Sequence, residues 1–230
     1  MERRFGGTGK DRGAGVGVAT YAVVCRERVE AVTAAVADGP VGGYVLEGPG
    51  GVSVLFDAPA ARGGGPVAER ALLHPAMALA RRLGDPVALL LSADLRARLC
   101  AVPARGGPPL ALSWAAEPPL TPDPEARHAR LAEWESRAGR IATLLSRPDA
   151  AAELATIRNE SGPGLEQPTG DALLTRACDA LILPGNAIGC SPLLHDPSEL
   201  DTAIRVNATG PTPRNPGLLN RLRSRDRQAG

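Results

Sequence analysis

The stretch GGYVLEGPGGVSVLFD, residues 42–57, predicts a β-hairpin and with it the class of the fold. Two apolar runs, residues 44–47 and 52–56, flank the turn-forming sequence GPGG. Glycine at such positions supplies the positive φ angles that tight hairpin turns need. Because a hairpin joins antiparallel neighbours, the sheet that contains it is expected to be antiparallel at this point.

The segments on either side of the hairpin carry further strand and helix patterns. Apolar periodicity predicts helices in residues 26–39 and 67–85, the second interrupted near Pro75. Apolar runs predict strands in residues 20–25, 86–91, 96–102 and 110–114. The predicted order is therefore β-α-β-β-α-β-β-β, with hairpins outnumbering crossovers. This order favours an α+β fold, a mostly antiparallel sheet with two helices on one face.

Beyond residue 116 the pattern becomes helical. A proline-rich segment, residues 118–124, precedes a long helix for which Asp123 is the predicted N-cap and Pro124 the first residue. An apolar stripe follows this helix at spacings of three and four residues, formed by Leu131, Trp134, Ala138, Ile141 and Leu145. Shorter helices are expected at about residues 149–159 and 170–183.

These patterns divide the chain into four predicted segments. Residues 1–18 are expected to be a flexible glycine-rich arm, and residues 19–116 the α+β domain. Residues 117–206 are expected to be a helical region packed on that domain, and residues 207–230 a disordered arginine-rich tail.

Composition narrows the classes of function. Hydrophobic residues are 43% of the 230 residues but aromatics only 3%, so the core must be built from Ala, Val and Leu. Lys10 is the only lysine among 26 basic residues, a bias typical of a GC-rich bacterial genome. A net charge of +1 argues against a whole surface adapted to nucleic acid or anionic lipid. Because no apolar run approaches the roughly 20 residues that span a bilayer, we expect a cytoplasmic protein without a membrane partner.

Cys190 is the candidate for a catalytic or metal-binding cysteine, because a histidine follows it closely. The stretch LPGNAIGCSPLLHD, residues 183–196, places Cys190 five residues before His195. The pair predicts a nucleophile with its base, or a zinc site if Cys178 joins them, or an ordinary loop. The loop is favoured, because the stretch lacks a nucleophile elbow and the spacing matches no common zinc module. No metal is expected. No cofactor is expected either, because the glycine runs of the arm precede a strand, whereas a dinucleotide-binding fingerprint follows one.

The tail is the most basic segment of the chain. Its arginines, opposed only by Asp226, are Arg214, Arg221, Arg223, Arg225 and Arg227. They are candidate contacts for phosphate or for an acidic partner, although a solvated terminus with a genomic arginine bias is the favoured interpretation.

We therefore expect a non-catalytic protein-interaction or accessory protein of a GC-rich bacterium, with an unidentified protein partner. One alternative is an enzyme whose site assembles from separated residues around Cys190 and His195. The other is a nucleic-acid accessory protein that uses the arginine-rich tail.

Overall fold

The computed structural model describes residues 19–57, 65–114, 123–158, 167–190 and 203–210. Within these residues the chain forms a seven-stranded sheet, antiparallel at every pairing, and five α-helices. The predicted α+β class is confirmed.

The elements follow the predicted order as far as the sixth strand. The strands are β1 (Ala19–Cys25), β2 (Gly43–Gly48), β3 (Gly51–Phe56), β4 (Val87–Ala93), β5 (Arg96–Val102), β6 (Leu110–Trp114) and β7 (Ala203–Val206). The helices are α1 (Val29–Ala37), α2 (Gly65–Leu83), α3 (Pro124–Leu144), α4 (Ala151–Thr156) and α5 (Gly170–Leu181). A single 3₁₀ turn at Pro148–Ala150 leads into α4.

In space the strands lie in the order β6-β5-β4-β1-β3-β2-β7. The first six elements, β1 to β4 with α1 and α2, have the β-α-β-β-α-β order of the split β-α-β, or ferredoxin-like, motif. Hairpin partners β5 and β6 extend this sheet beyond β4, and β7 extends it beyond β2. Among the described residues the sheet therefore ends at β6 on one side and at β7 on the other.

The turn between β2 and β3 shows why the predicted hairpin needs its glycines. Gly50 and Gly51 have φ angles of 83° and 145°, which residues with a Cβ rarely adopt. A Cβ on Gly51 would also lie only 2.0 Å from the carbonyl oxygen of Cys25. This close approach of β3 to the end of β1 fixes the hairpin beside β1.

Helices cover both faces of the sheet. On one face α1 and α2 bury small apolar side chains, among them Val32, Val36, Leu72, Ala76 and Leu79. On the other face α3, α4 and α5 bury a second set, among them Ala138, Ile141, Leu145, Leu154, Leu173 and Ala177. Three residues of the predicted α3 stripe, Ala138, Ile141 and Leu145, thus pack in this core. Asp123 caps the helix by accepting a hydrogen bond from the Glu125 amide at 3.0 Å.

The predicted interruption of α2 near Pro75 is wrong. The helix runs without a break from Gly65 to Leu83, and Pro75 lies inside it, buried. Proline removes one backbone hydrogen bond from a helix. Here Leu72, Ala76 and Leu79 are buried on both sides of that position, and their packing on the sheet offsets the loss.

Near the C-terminal end the chain forms a strand, β7, that no pattern in the sequence predicted. β7 pairs with β2 over four residues, from Gly43 opposite Val206 to Leu46 opposite Ala203. The first four residues of the predicted tail, 207–210, are among the described residues and form no helix or strand. Thr209 donates from its amide and its hydroxyl to the Ala37 carbonyl, at 2.7 and 2.9 Å, at the end of α1. Residues 211–230, with all five tail arginines, and residues 1–18 lie outside the described residues.

Candidate functional site

The stretch that contains Cys190 is anchored to the sheet by its own side chains. Ile182, the residue after α5, has the left-handed conformation that ends the helix. Asn186 then accepts a hydrogen bond from the Ser53 hydroxyl at 2.7 Å and donates to the Glu47 carbonyl at 3.1 Å. Ala187 is buried against apolar side chains of β1, β2 and β3, namely Ala22, Leu46 and Leu55. The loop therefore ties α5 to the central strands.

Cys190 is half-buried at the end of this loop. Its amide donates to Ala187 and its carbonyl accepts from the Tyr21 amide, at 3.1 and 3.3 Å. Burial raises the pKa of the Cys190 thiol, and the nearby Asp171 carboxylate raises it further. A nucleophilic cysteine needs the opposite shift, because the thiolate is the reactive form. His195, its predicted base, lies outside the described residues.

A polar cluster next to Cys190 joins α5 to the sheet. Asp171, in the first turn of α5, accepts hydrogen bonds from the hydroxyls of Thr20, at 2.7 Å, and of Ser92. The Thr20 hydroxyl also accepts from the Gly189 amide at 2.8 Å, and the Ser92 hydroxyl accepts from the Thr20 amide at 3.0 Å. Both hydroxyls are buried and each donates to the same carboxylate. The arrangement satisfies buried polar groups and holds β1, β4 and α5 together.

We expect Cys190 to be an unreactive thiol. Because its pKa is raised, alkylation at pH 7–8 should be slower than that of a free thiol, and its rate should rise with pH later than that of a free thiol does. Mass spectrometry can follow Cys190 alone, since Cys25, Cys100 and Cys178 are buried. Cys190→Ala should change the free energy of unfolding by no more than about 0.5 kcal/mol. A thiol that titrates below pH 7.5 and disappears in Cys190→Ala would overturn this expectation.

The zinc hypothesis depends on residues in different places. Cys178 lies on the buried face of α5, where desolvation raises the pKa of its thiol to about 12. Cys190 packs instead with the residues around Ala187. Among the described residues no three His, Cys, Asp or Glu side chains are grouped to hold a metal ion. Since His195 lies outside them, the three-residue set itself remains a hypothesis.

The edge strand β6 is uncharged, unlike β7 at the opposite edge of the sheet. It pairs with β5 alone, so in the part of the chain that the structure describes its outer backbone groups face no other strand. Its sequence, LALSW, carries no charge. The opposite edge, β7, carries Arg205, which pairs with Asp57 and lies 4.7 Å from the centre of the Tyr44 ring. Charges blunt the edge of a sheet against further pairing, and β6 lacks them.

Grooves border β6 on both faces of the sheet. A groove of about 260 Å³ between β6 and α3 is lined by Pro109, Leu110, Ala111, Arg137, Arg140 and Ile141. On the α2 face a groove of about 290 Å³ reaches β6 at Ser113 and Trp114 and extends across β5 and β4 to Tyr21. Ser113 is exposed, whereas Trp114 is buried. We define the free edge of β6 with these two grooves as the β6 edge site.

Arginines surround the β6 edge site. Arg98 pairs with Glu69 at 3.0 Å, and Arg137 pairs with Glu133 one helical turn earlier in α3. Arg96 lines the groove on the α2 face and Arg140 the groove beside α3. Both are exposed, and neither forms an ion pair with another described residue. The site thus carries a local excess of positive charge in a chain whose net charge is only +1.

No protein-family model, curated protein sequence or solved structure matches this chain. Among the described residues, none of the helices is both long enough and apolar enough to cross a bilayer.

Proposed function

We propose that this protein acts by binding a partner protein, and that the β6 edge site is the surface it uses. The observation that carries the proposal is the uncharged edge of β6, whose outer backbone groups face no described strand. A strand edge of this kind pairs readily with an extended segment of another chain.

The surroundings of β6 support the same function. An added strand would point alternate side chains toward opposite faces of the sheet. One set would reach the groove beside α3, where Arg140 and Ile141 lie, and the other would pass Ala111 and Ser113 on the α2 face. Main-chain hydrogen bonds would supply affinity and these flanking groups would supply selectivity.

The cellular setting is part of the proposal. We place the interaction in the cytoplasm of a GC-rich bacterium, because arginine almost fully replaces lysine and four cysteines are free, three of them buried. Free thiols suit a reducing compartment.

Site-specific photo-crosslinking tests the proposed function. A benzophenone amino acid in place of Ser113, which is exposed on β6, should give an adduct with a specific partner in the cells that make the protein. The matched control places the same group at Thr175, exposed on α5. An adduct at position 113 that is absent at position 175 is the expected result. No adduct at 113, or the same adducts from both positions, would contradict a partner surface at β6.

A further inference from the structure

We infer that the partner segment at the β6 edge site is an extended acidic peptide, which pairs with β6 as an eighth strand. This inference rests on the proposed function and adds the chemistry of the ligand. It commits to one binding mode, strand addition, and to one charge.

The charge of the peptide follows from the arginines of the site. Arg137 and Arg140 line the groove that directly adjoins the free edge, and Leu110 and Ala111 form its β6 side. Glu133 neutralises Arg137, but Arg140 has no ion-pair partner among the described residues. Arg96, in the groove on the α2 face, also has no ion-pair partner among the described residues. Carboxylates on the side of an incoming strand that faces α3 would complement Arg140, and complementary charge sets the choice and orientation of a partner.

The spacing of the acidic residues follows from strand geometry. Side chains that face α3 recur every second residue along an added strand. We therefore expect acidic residues at alternating positions, facing Arg137 and Arg140, and uncharged residues between them, facing Ala111 and Ser113.

Charge also excludes two other occupants. A second copy of the chain paired through β6 would bring the same arginine-bordered edges together, because a two-fold interface places the same patch on both sides. The basic tail of the chain itself carries five arginines and one aspartate, so the site would repel it. An acidic segment of a different protein is the occupant that the charges favour.

Synthetic peptides test the inference with the full-length protein. The probe is a seven-residue peptide with glutamate at alternating positions and threonine or valine between them. One control peptide replaces each glutamate with lysine, and a second places proline at the centre, which removes a ladder hydrogen bond. Titration gives the Kd of each, and hydrogen exchange followed by NMR shows whether the amides of residues 110–114 become protected.

We expect the glutamate peptide to bind, to slow exchange at β6, and to weaken as salt rises. The lysine and proline peptides should bind at least about tenfold more weakly. The double variant Arg137→Glu with Arg140→Glu should weaken the glutamate peptide by about tenfold, since each exposed pair contributes a few-fold, and should favour the lysine peptide. Arg176→Glu, at an exposed position on α5, should change neither affinity.

The remaining outcomes separate this inference from the proposed function. Equal binding of the glutamate and lysine peptides would overturn the acidic specificity. Binding without protection of β6 amides would overturn strand addition, and concentration-dependent dimerisation through β6 would replace the peptide with a second copy. If no peptide binds while Ser113 still crosslinks to a partner, the inference fails and the proposed function stands. If both experiments are negative, both fail.

Discussion

Trp114→Ala is expected to lower the free energy of unfolding by about 3–5 kcal/mol, the usual cost of deleting a buried tryptophan. Trp114 is only 2% exposed. Its ring packs edge-on against Trp134 with 5.7 Å between centroids, and its indole nitrogen donates to the Ile157 carbonyl at 2.8 Å. The substitution therefore removes the contact that joins β6, α3 and the end of α4. Urea denaturation followed by circular dichroism measures the loss.

Trp134→Ala is the matched control for that experiment. Trp134 belongs to the same ring pair and donates to the Ala155 carbonyl at 3.0 Å, but its ring is only half-buried. Its loss should cost about half as much, since hydrophobic stabilisation scales with the apolar area removed from water. Equal losses for the two variants would contradict the assignment of Trp114 as the buried centre of this cluster.

Arg26→Met is expected to lower the free energy of unfolding by about 2–4 kcal/mol. The guanidinium of Arg26, at the end of β1, donates to the carbonyls of Leu145, Leu181 and Ile182, the last at 3.2 Å. These carbonyls lie where α3 and α5 end, so one cation satisfies unpaired acceptors and faces the negative end of two helix dipoles. Burial lowers the pKa of Arg26, yet the group remains charged at neutral pH.

Two variants control for the loss of charge. Arg28→Met removes an exposed arginine two residues away and should change stability by no more than about 0.5 kcal/mol. Arg26→Lys keeps the charge but cannot reach three carbonyls with a planar fork, so it should recover only part of the loss. If Arg26→Met unfolds at the same denaturant concentration as the parent, Arg26 does not hold the two helix ends.

Local patterns predicted much of the fold because they report on short-range geometry. The GPGG turn and its apolar flanks identified the β2–β3 hairpin, and the apolar stripe identified α3 with its Asp123 cap. The predicted break at Pro75 was wrong because the packing of α2 on the sheet outweighs the cost of one lost hydrogen bond. β7 was missed because its four residues are stabilised by β2, about 160 positions earlier in the chain.

The site depends on contacts that no single segment encodes. Asp171 meets Thr20 and Ser92 across 151 and 79 positions of sequence, so its role could not be inferred from its neighbours in the chain. β6 was predicted as a strand, but its place at the edge follows from the strand order of the whole sheet. Two signals were present in the sequence: the uncharged LALSW and the arginines of RAR, residues 96–98, and SRAGR, residues 136–140.

Amide hydrogen exchange of the free full-length protein, followed by NMR, tests the exposed edge of β6 most directly. In an edge strand of an antiparallel sheet, alternate amides point to the neighbour and to solvent. We therefore predict that the five amides of residues 110–114 alternate between slow and fast exchange, whereas the amides of residues 88–93 of β4, which is paired on both sides there, exchange slowly throughout. Slow exchange of all five β6 amides would show that another segment already covers the edge, and would contradict a site open to a partner strand.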